Sequence, residues 1–149
     1  MAGSLGGRVL YVATALPDDD PELRRRVRLH RERRPAAWGM VEAGDLARVP
    51  GEAGRWDAVL LDSLTLWVSV RLYAVGEGET LVAFGGFLDE ISNLPTPFVL
   101  VSDEVGLGVV PESAEGRAFR DVLGLVNQRA AAAAWEVHLC VAGIGVRIK

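Results

Sequence analysis

Short apolar runs rich in β-branched residues alternate along this chain with longer stretches whose apolar residues recur at helical spacing. Residues 8–14 (RVLYVAT), 57–62 (DAVLLD) and 97–101 are apolar nearly throughout rather than at every second position, so each predicts a strand buried on both faces. Acidic residues 18–20 followed by Pro21 have the form of a helix start, and Pro35 closes the pattern, which predicts a helix over 21–34. A short extended piece at 38–42 and a turn-rich connection over 44–56, with room for one helical turn, lead to the second strand. Beyond it, Leu64, Trp67, Val68, Arg71 and Leu72 predict a helix, and residues 80–91 predict another. Phe119, Val122, Leu123, Val126 and Ala130 mark one face of a long helix, which the alanine run 130–134 continues. Residues 137–141 and 146–148 finish the chain as strands.

Strands of this kind alternating with helices imply a single α/β domain over 1–149, with a mainly parallel sheet and helices on both of its faces. Ligands of such sheets sit at the carboxyl ends of the strands. That rule points to Ala13, Thr14 and Ala15, to Asp62 and Ser63, and to residues 103–112.

Composition removes several functional classes. The chain has 149 residues, 50% of them hydrophobic, which suits one domain with a real core. Its apolar runs are too short to span a bilayer and its start has no signal pattern, so a cytoplasmic protein without a membrane span is expected. A net charge of -4 argues against a dedicated nucleic-acid binder, although arginines crowd residues 24–34. Cys140 is the single cysteine; it can build neither a disulfide framework nor a thiolate metal cluster within one chain, and its apolar surroundings predict a small buried hydrophobe. The sole lysine is Lys149, so chemistry needing an internal lysine beside the β- and γ-phosphates has no candidate.

Three groups of residues carry possible chemistry. Leu23, Val27 and His30 share one face of the first helix, and Arg24, Arg28 and Arg31 form a neighbouring stripe. Taken alone, these read as a core histidine and a solvated face. Taken together, a neutral imidazole among guanidinium groups is what nucleotidyl transfer through a phosphoramidate needs: the ring attacks an α-phosphate while arginines stabilise charge on the phosphoryl oxygens. Asp62 ends an apolar strand in the manner of a carboxylate acting on nucleotide-bound magnesium. Asp103 and Glu104 end the next strand, where paired carboxylates either hold a metal or cap a turn; glycines 106 and 108 make 104–112 (EVGLGVVPE) a tight loop at the same edge of the sheet.

Taken in order, LYVAT at 10–14, the R-V-x-x-H-x-x-x-R-P-x-x-W series at 26–38, LLDSLTLW at 60–67, EVGLGVVPE, Phe119-Arg120-Asp121, Asn127-Gln128 and the terminal GIGVRIK resemble successive motifs of the bifunctional adenosylcobinamide kinase/adenosylcobinamide-phosphate guanylyltransferase family. The resemblance runs from about residue 8 to residue 149. It implies a fold related to the P-loop NTPases, GTP as donor, Mg2+, adenosylcobinamide or its phosphate as acceptor, and a homo-oligomer, commonly a trimer. It implies transfer of GMP through a histidine, here His30. By position it assigns nucleotide contacts to Ala13, Thr14, Ala15, Arg31, Glu32, Arg33, Arg34, Glu42 and Asp62, with Asp62 also serving the metal.

Members of that family open with a strand, a G-x-x-x-x-G-K-S phosphate loop and a helix. Residues 1–7 (MAGSLGG) have glycines but neither the spacing nor the lysine. Kinase activity of these 149 residues is therefore expected to be weak or absent, and two strand edges are expected to be open where the first strand would lie. Three readings remain: the guanylyltransferase, a non-catalytic nucleotide- or corrinoid-binding relative, and a truncated form of the full enzyme.

Overall fold

The computed structural model describes residues 7–14 and 35–149. Four strands, β1 (Val9–Ala13), β2 (Gly39–Glu42), β3 (Ala58–Asp62) and β4 (Phe98–Val101), form one sheet in the order β2-β1-β3-β4. Every pairing in it is parallel. This is the mainly parallel α/β architecture that the apolar runs predict. The helix predicted over 21–34, with His30, Arg31, Glu32, Arg33 and Arg34, lies outside the described residues, as does Ala15.

Among the described residues four helices connect or follow the strands: α1 (Val49–Ala53), α2 (Leu64–Val75), α3 (Glu77–Ser92) and α4 (Ala114–Ala133). Local chemistry sets their starts. The Asp45 side chain accepts from the Ala47 N–H to open a 3-10 turn over Leu46–Arg48, and Pro50 sits in the first turn of α1. Ser63 caps α2 by accepting from Leu66 N, and Ser113 caps α4 by accepting from Gly116 N. Gly76 separates α2 from α3 with φ at 84°, a left-handed conformation that a side chain would resist.

The strands carry apolar residues on both faces. One face presents Leu10, Val12, Val59 and Leu61, which form the main core with Val49 and Ala53 of α1, Leu64, Trp67 and Val68 of α2, Phe84 and Phe87 of α3, and Val122, Leu123 and Val126 of α4. The opposite face carries buried Val9 and Ala58, packed with Trp38, Leu60 and Val99. At the amino ends of β1 and β3, Arg8 donates its backbone N–H to Asp57 Oδ2 (2.9 Å) and its guanidinium to Oδ1 (3.2 Å). The backbone bond first, and the guanidinium second, hold the Asp57 carboxyl below its usual 3.8. This pairing favours the folded chain above that value and is lost as pH falls through the lowered one.

Gly39 of β2 owes its identity to a close approach. A Cβ there would overlap Cη2 of the Trp56 ring, which lies against that strand. Gly39→Ala is expected to displace the indole and destabilise the fold by about 1–3 kcal/mol, read as a lower denaturant midpoint with an unchanged slope.

The last two strands depart from the simplest expectation. β5 (His138–Val141) and β6 (Ile144–Arg147) pair with each other in an antiparallel hairpin, a separate two-stranded sheet. Among the described strands β4 pairs only with β3, so its outer edge is open. Cys140 is exposed rather than buried, because the hairpin that carries it is not enclosed by the main sheet. Glu136 ties the hairpin down through His138 (3.2 Å) and Arg147 (3.4 Å), and the His138 hydrogen bond followed by the Arg147 charge lowers the Glu136 pKa. Lys149 donates to the carbonyls of Ala131 (2.8 Å) and Ala132 (3.0 Å) at the end of α4.

Candidate functional site

The strand order places a ligand crevice. From β1 the chain goes on to β2 on one side, whereas from β3 it goes on to β4 on the other. The direction therefore switches between β1 and β3, and the crevice of an open α/β sheet lies outside the carboxyl ends of the two strands flanking such a switch. Those ends carry Ala13-Thr14 and Asp62-Ser63.

Register brings three of the expected nucleotide-contacting residues into one row. Ala13 is opposite Glu42 on one side and Asp62 on the other. Parallel partners in register direct their side chains to the same face, and neighbouring strands are about 4.8 Å apart, so the two carboxylates flank Ala13 with their Cα atoms about 10 Å apart. Their face is the one opposite the main core, shared with Val9 and Tyr11.

Asp62 is held in place. Tyr11, opposite Leu60 and so two positions before Asp62 on the same face, donates its phenol hydroxyl to Asp62 Oδ2 at 2.5 Å. The ring is buried, and a hydrogen bond to an ionised acceptor in such surroundings is short and strong. A tyrosine inside an apolar run reads in sequence as packing, and only the register shows that it reaches the carboxylate.

Thr14, expected among the nucleotide contacts, is buried, and its bonds run to the end of β3 and the residue after it. Its hydroxyl donates to Ser63 O (2.7 Å) and accepts from Ser63 N (2.9 Å), and its N–H donates to Asp62 O (3.3 Å). Thr14 is therefore a buried clasp that locks the ends of β1 and β3 together. Ala43 N donates to Ala13 O (2.9 Å), which extends the clasp to β2.

The end of β4 is fixed by a second set of bonds. Asp103 N donates to Thr65 Oγ1 (2.9 Å), Asn127 Nδ2 donates to Asp103 O (3.1 Å), and Ser102 Oγ donates to Asn127 Oδ1 (2.6 Å). Asn127 of α4 is thus a brace for the turn after β4. Of the two acidic residues there, Glu104 accepts from Gly106 N at 2.8 Å and so caps its own turn. Among the described residues no group of three or more His, Cys, Asp or Glu side chains gathers as a metal cluster.

A parallel sheet with a carboxylate-bearing row at its switch point defines an open α/β protein of the kind that takes its ligand at the carboxyl ends of its strands. The family is narrower. Residues 1–148 match the family described as cobinamide kinase / cobinamide phosphate guanyltransferase, and the chain belongs to that family. It is 40% identical over 157 residues to the bifunctional adenosylcobalamin biosynthesis protein CobU of Salmonella typhimurium, a match covering 95% of this chain and 86% of the relative. The CobU protein of Escherichia coli is 39% identical with the same coverage. The bifunctional adenosylcobalamin biosynthesis protein CobP of Pseudomonas aeruginosa is 36% identical over 159 residues, covering all of this chain and 87% of its own length. Among the described residues no helix is long and apolar enough to cross a membrane.

Proposed function

We propose that this chain transfers GMP from GTP to adenosylcobinamide phosphate by way of a guanylylated His30, a step of cobalamin assembly. The observation that carries the reading is the row Glu42-Ala13-Asp62 at the switch point, with Asp62 held by Tyr11. It supports a triphosphate bound across the ends of β1, β2 and β3. Family membership and the relatives' names supply the corrinoid acceptor and the cobalamin pathway.

In this reading the His30 imidazole attacks the α-phosphorus of GTP. An N–P bond forms, the bond from phosphorus to the bridging oxygen breaks, and pyrophosphate leaves. A phosphate oxygen of the acceptor then attacks the same phosphorus, breaking the N–P bond and restoring the imidazole. Arg31, Arg33 and Arg34 follow His30 in sequence and supply guanidinium charge for the phosphoryl oxygens, and Glu32 lies among them. Mg2+ suits the row chemically, because it binds through one or two carboxylates plus phosphates and keeps its remaining waters. Asp62 and Glu42 are the residues that would hold it, and the ion would neutralise part of the triphosphate charge. Tyr11, engaged on Oδ2, fixes the Asp62 carboxylate at the end of β3.

We propose GMP transfer rather than phosphorylation of cobinamide because the chain's one lysine, Lys149, donates to the carbonyls at the end of α4.

The test is incubation with α-labelled GTP and Mg2+. An acid-labile GMP adduct that adenosylcobinamide phosphate discharges is expected. GTP or cobinamide bound without any adduct would establish a non-catalytic relative instead. Tyr11→Phe tests the row itself: loss of a hydrogen bond to a charged group is expected to slow adduct formation by about tenfold at saturating GTP, read in a labelling time course.

A further inference from the structure

A valine would end the run VLYVAT as well as a threonine does, were packing all that mattered. Residue 14 is 1% exposed, and a buried hydroxyl costs stability unless it is bonded. Here it is bonded twice to one residue: Thr14 Oγ1 accepts from Ser63 N (2.9 Å) and donates to Ser63 O (2.7 Å). A hydroxyl gives and takes at one atom, so it serves both backbone groups of Ser63 at once, which an aliphatic side chain could not.

Ser63 is the residue after Asp62, and its other bonds lead into α2. Its hydroxyl accepts from Leu66 N (3.4 Å) and its carbonyl accepts from Trp67 N (3.2 Å). The backbone that carries the Asp62 carboxylate is thus fixed from two sides, by β1 and by the first turn of α2. From β1, Tyr11 donates to the carboxylate itself and Thr14 holds the peptide that follows it, so one strand mounts Asp62 at two points. The residue after Glu42 is held by β1 as well, but through backbone alone, from Ala43 N to Ala13 O. Thr14 is therefore the side chain on which the mounting of the turn after Asp62 depends.

We propose that Thr14 is a positioning residue for Asp62 as a ligand of magnesium. Its hydroxyl touches neither the ion nor the nucleotide; it sets the place of the carboxylate through Ser63. The inference rests on the proposed function, which gives Asp62 to the ion. Carboxylates that bind metals depend on the groups that orient them, and loss of such a group weakens binding of the ion by about 10–100-fold.

The experiment titrates Mn2+, in place of Mg2+, into the full chain with a GTP analogue that has a methylene bridge between the α- and β-phosphorus, and reads bound Mn2+ by electron paramagnetic resonance. The readout needs no transfer step. Thr14→Val is expected to raise the Mn2+ dissociation constant about tenfold or more, and Thr14→Ser, which restores the hydroxyl, to stay within about twofold of the wild type. Thr14→Cys keeps the size of the side chain with a weakly bonding thiol and is expected to follow Thr14→Val, so the comparison holds even where the latter does not fold.

Thr80→Val is the control for a merely structural part. Thr80 is 0% exposed and its hydroxyl donates to Gly76 O (2.7 Å) at the start of α3, away from the row. Its loss is expected to lower the unfolding midpoint, as Thr14→Val does, and to leave the Mn2+ constant unchanged. A wild-type constant in folded Thr14→Val or Thr14→Cys overturns the proposal, as does an equal shift in Thr80→Val. Mn2+ held no better with the wild-type chain than by the analogue alone overturns it too. If the shift is seen but the wild type forms no GMP adduct, the positioning stands and the transfer reading falls. If the adduct forms but the constant does not shift, the positioning falls and the transfer stands.

Discussion

His30→Ala is expected to abolish the GMP adduct and to reduce overall transfer by about a thousandfold or more, while GTP binding changes little. The argument is that of a covalent nucleophile. With the imidazole removed, no other side chain of the R-V-x-x-H-x-x-x-R-P series forms a phosphoramidate, because guanidinium groups stay protonated and do not attack phosphorus. The remaining histidine is His138, which is hydrogen-bonded to Glu136 in the C-terminal hairpin and does not belong to the strand-end row. The two histidines therefore separate cleanly. His138→Ala is expected to retain the adduct and His30→Ala to lose it, with acid lability and mass of the labelled peptide as the readout. An adduct that survives in His30→Ala would assign the nucleophile elsewhere.

Trp67→Ala is expected to destabilise the chain by about 3–5 kcal/mol, a large share of the stability of a domain this size. The indole is 2% exposed and begins a line of rings that runs through the helices to the sheet. Its centroid is 5.9 Å from Phe84, which is 6.2 Å from Phe87, which in turn is 6.1 Å from Phe98 of β4. The Arg71 guanidinium lies 5.7 Å from the indole centre and adds a cation–π contact. The damage should reach the site as well, since Trp67 N bonds Ser63 O in the first turn of α2, next to Asp62. Trp67→Phe offers the contrast. Among the described residues the buried Trp67 Nε1 has no hydrogen-bond partner, so phenylalanine forfeits no hydrogen bond there and is expected to cost only about 1 kcal/mol. Denaturant midpoints of the two variants measure the difference.

The elements of this fold were readable where a local pattern decides them. Runs such as VLYVA and AVLLD are strands because nothing else suits a short β-branched stretch buried on both sides. The alanine-rich end of α4 is helix by propensity alone. The connection over 44–56 was readable only as turns with one helical turn, and Asp45 and Pro50 proved to open a 3-10 turn and α1 there.

What stayed hidden is non-local. Asp62 could be proposed from its place at a strand end, but its partner Tyr11 lies 51 positions away and becomes visible only through the register of β1 against β3. Thr14 could be placed at the crevice, but its hydroxyl could not be seen to be taken by Ser63. Asn127 has no local signature for bracing Asp103. Cys140 shows the opposite error: its apolar neighbours suggest burial, yet a hydrophobic run does not say whether its strand joins the covered sheet or an exposed hairpin.

The absence of any hairpin within the four-stranded sheet also bears on how fast this protein acquires its shape. Each pairing there joins strands separated by a crossover, with Leu10 set against Gly39, Val9 against Ala58 and Val59 against Phe98. No neighbour can zip onto the last by a short turn, so the loop-closure entropy must be met before the ladder returns any enthalpy. The antiparallel β5–β6 hairpin, closed by a tight turn at Ala142 and Gly143, has no such delay. Refolding from denaturant is therefore expected to show the C-terminal hairpin and the helices ahead of the sheet. The carboxylate row, which exists only when β1, β2 and β3 are in register, would then be among the last features to form.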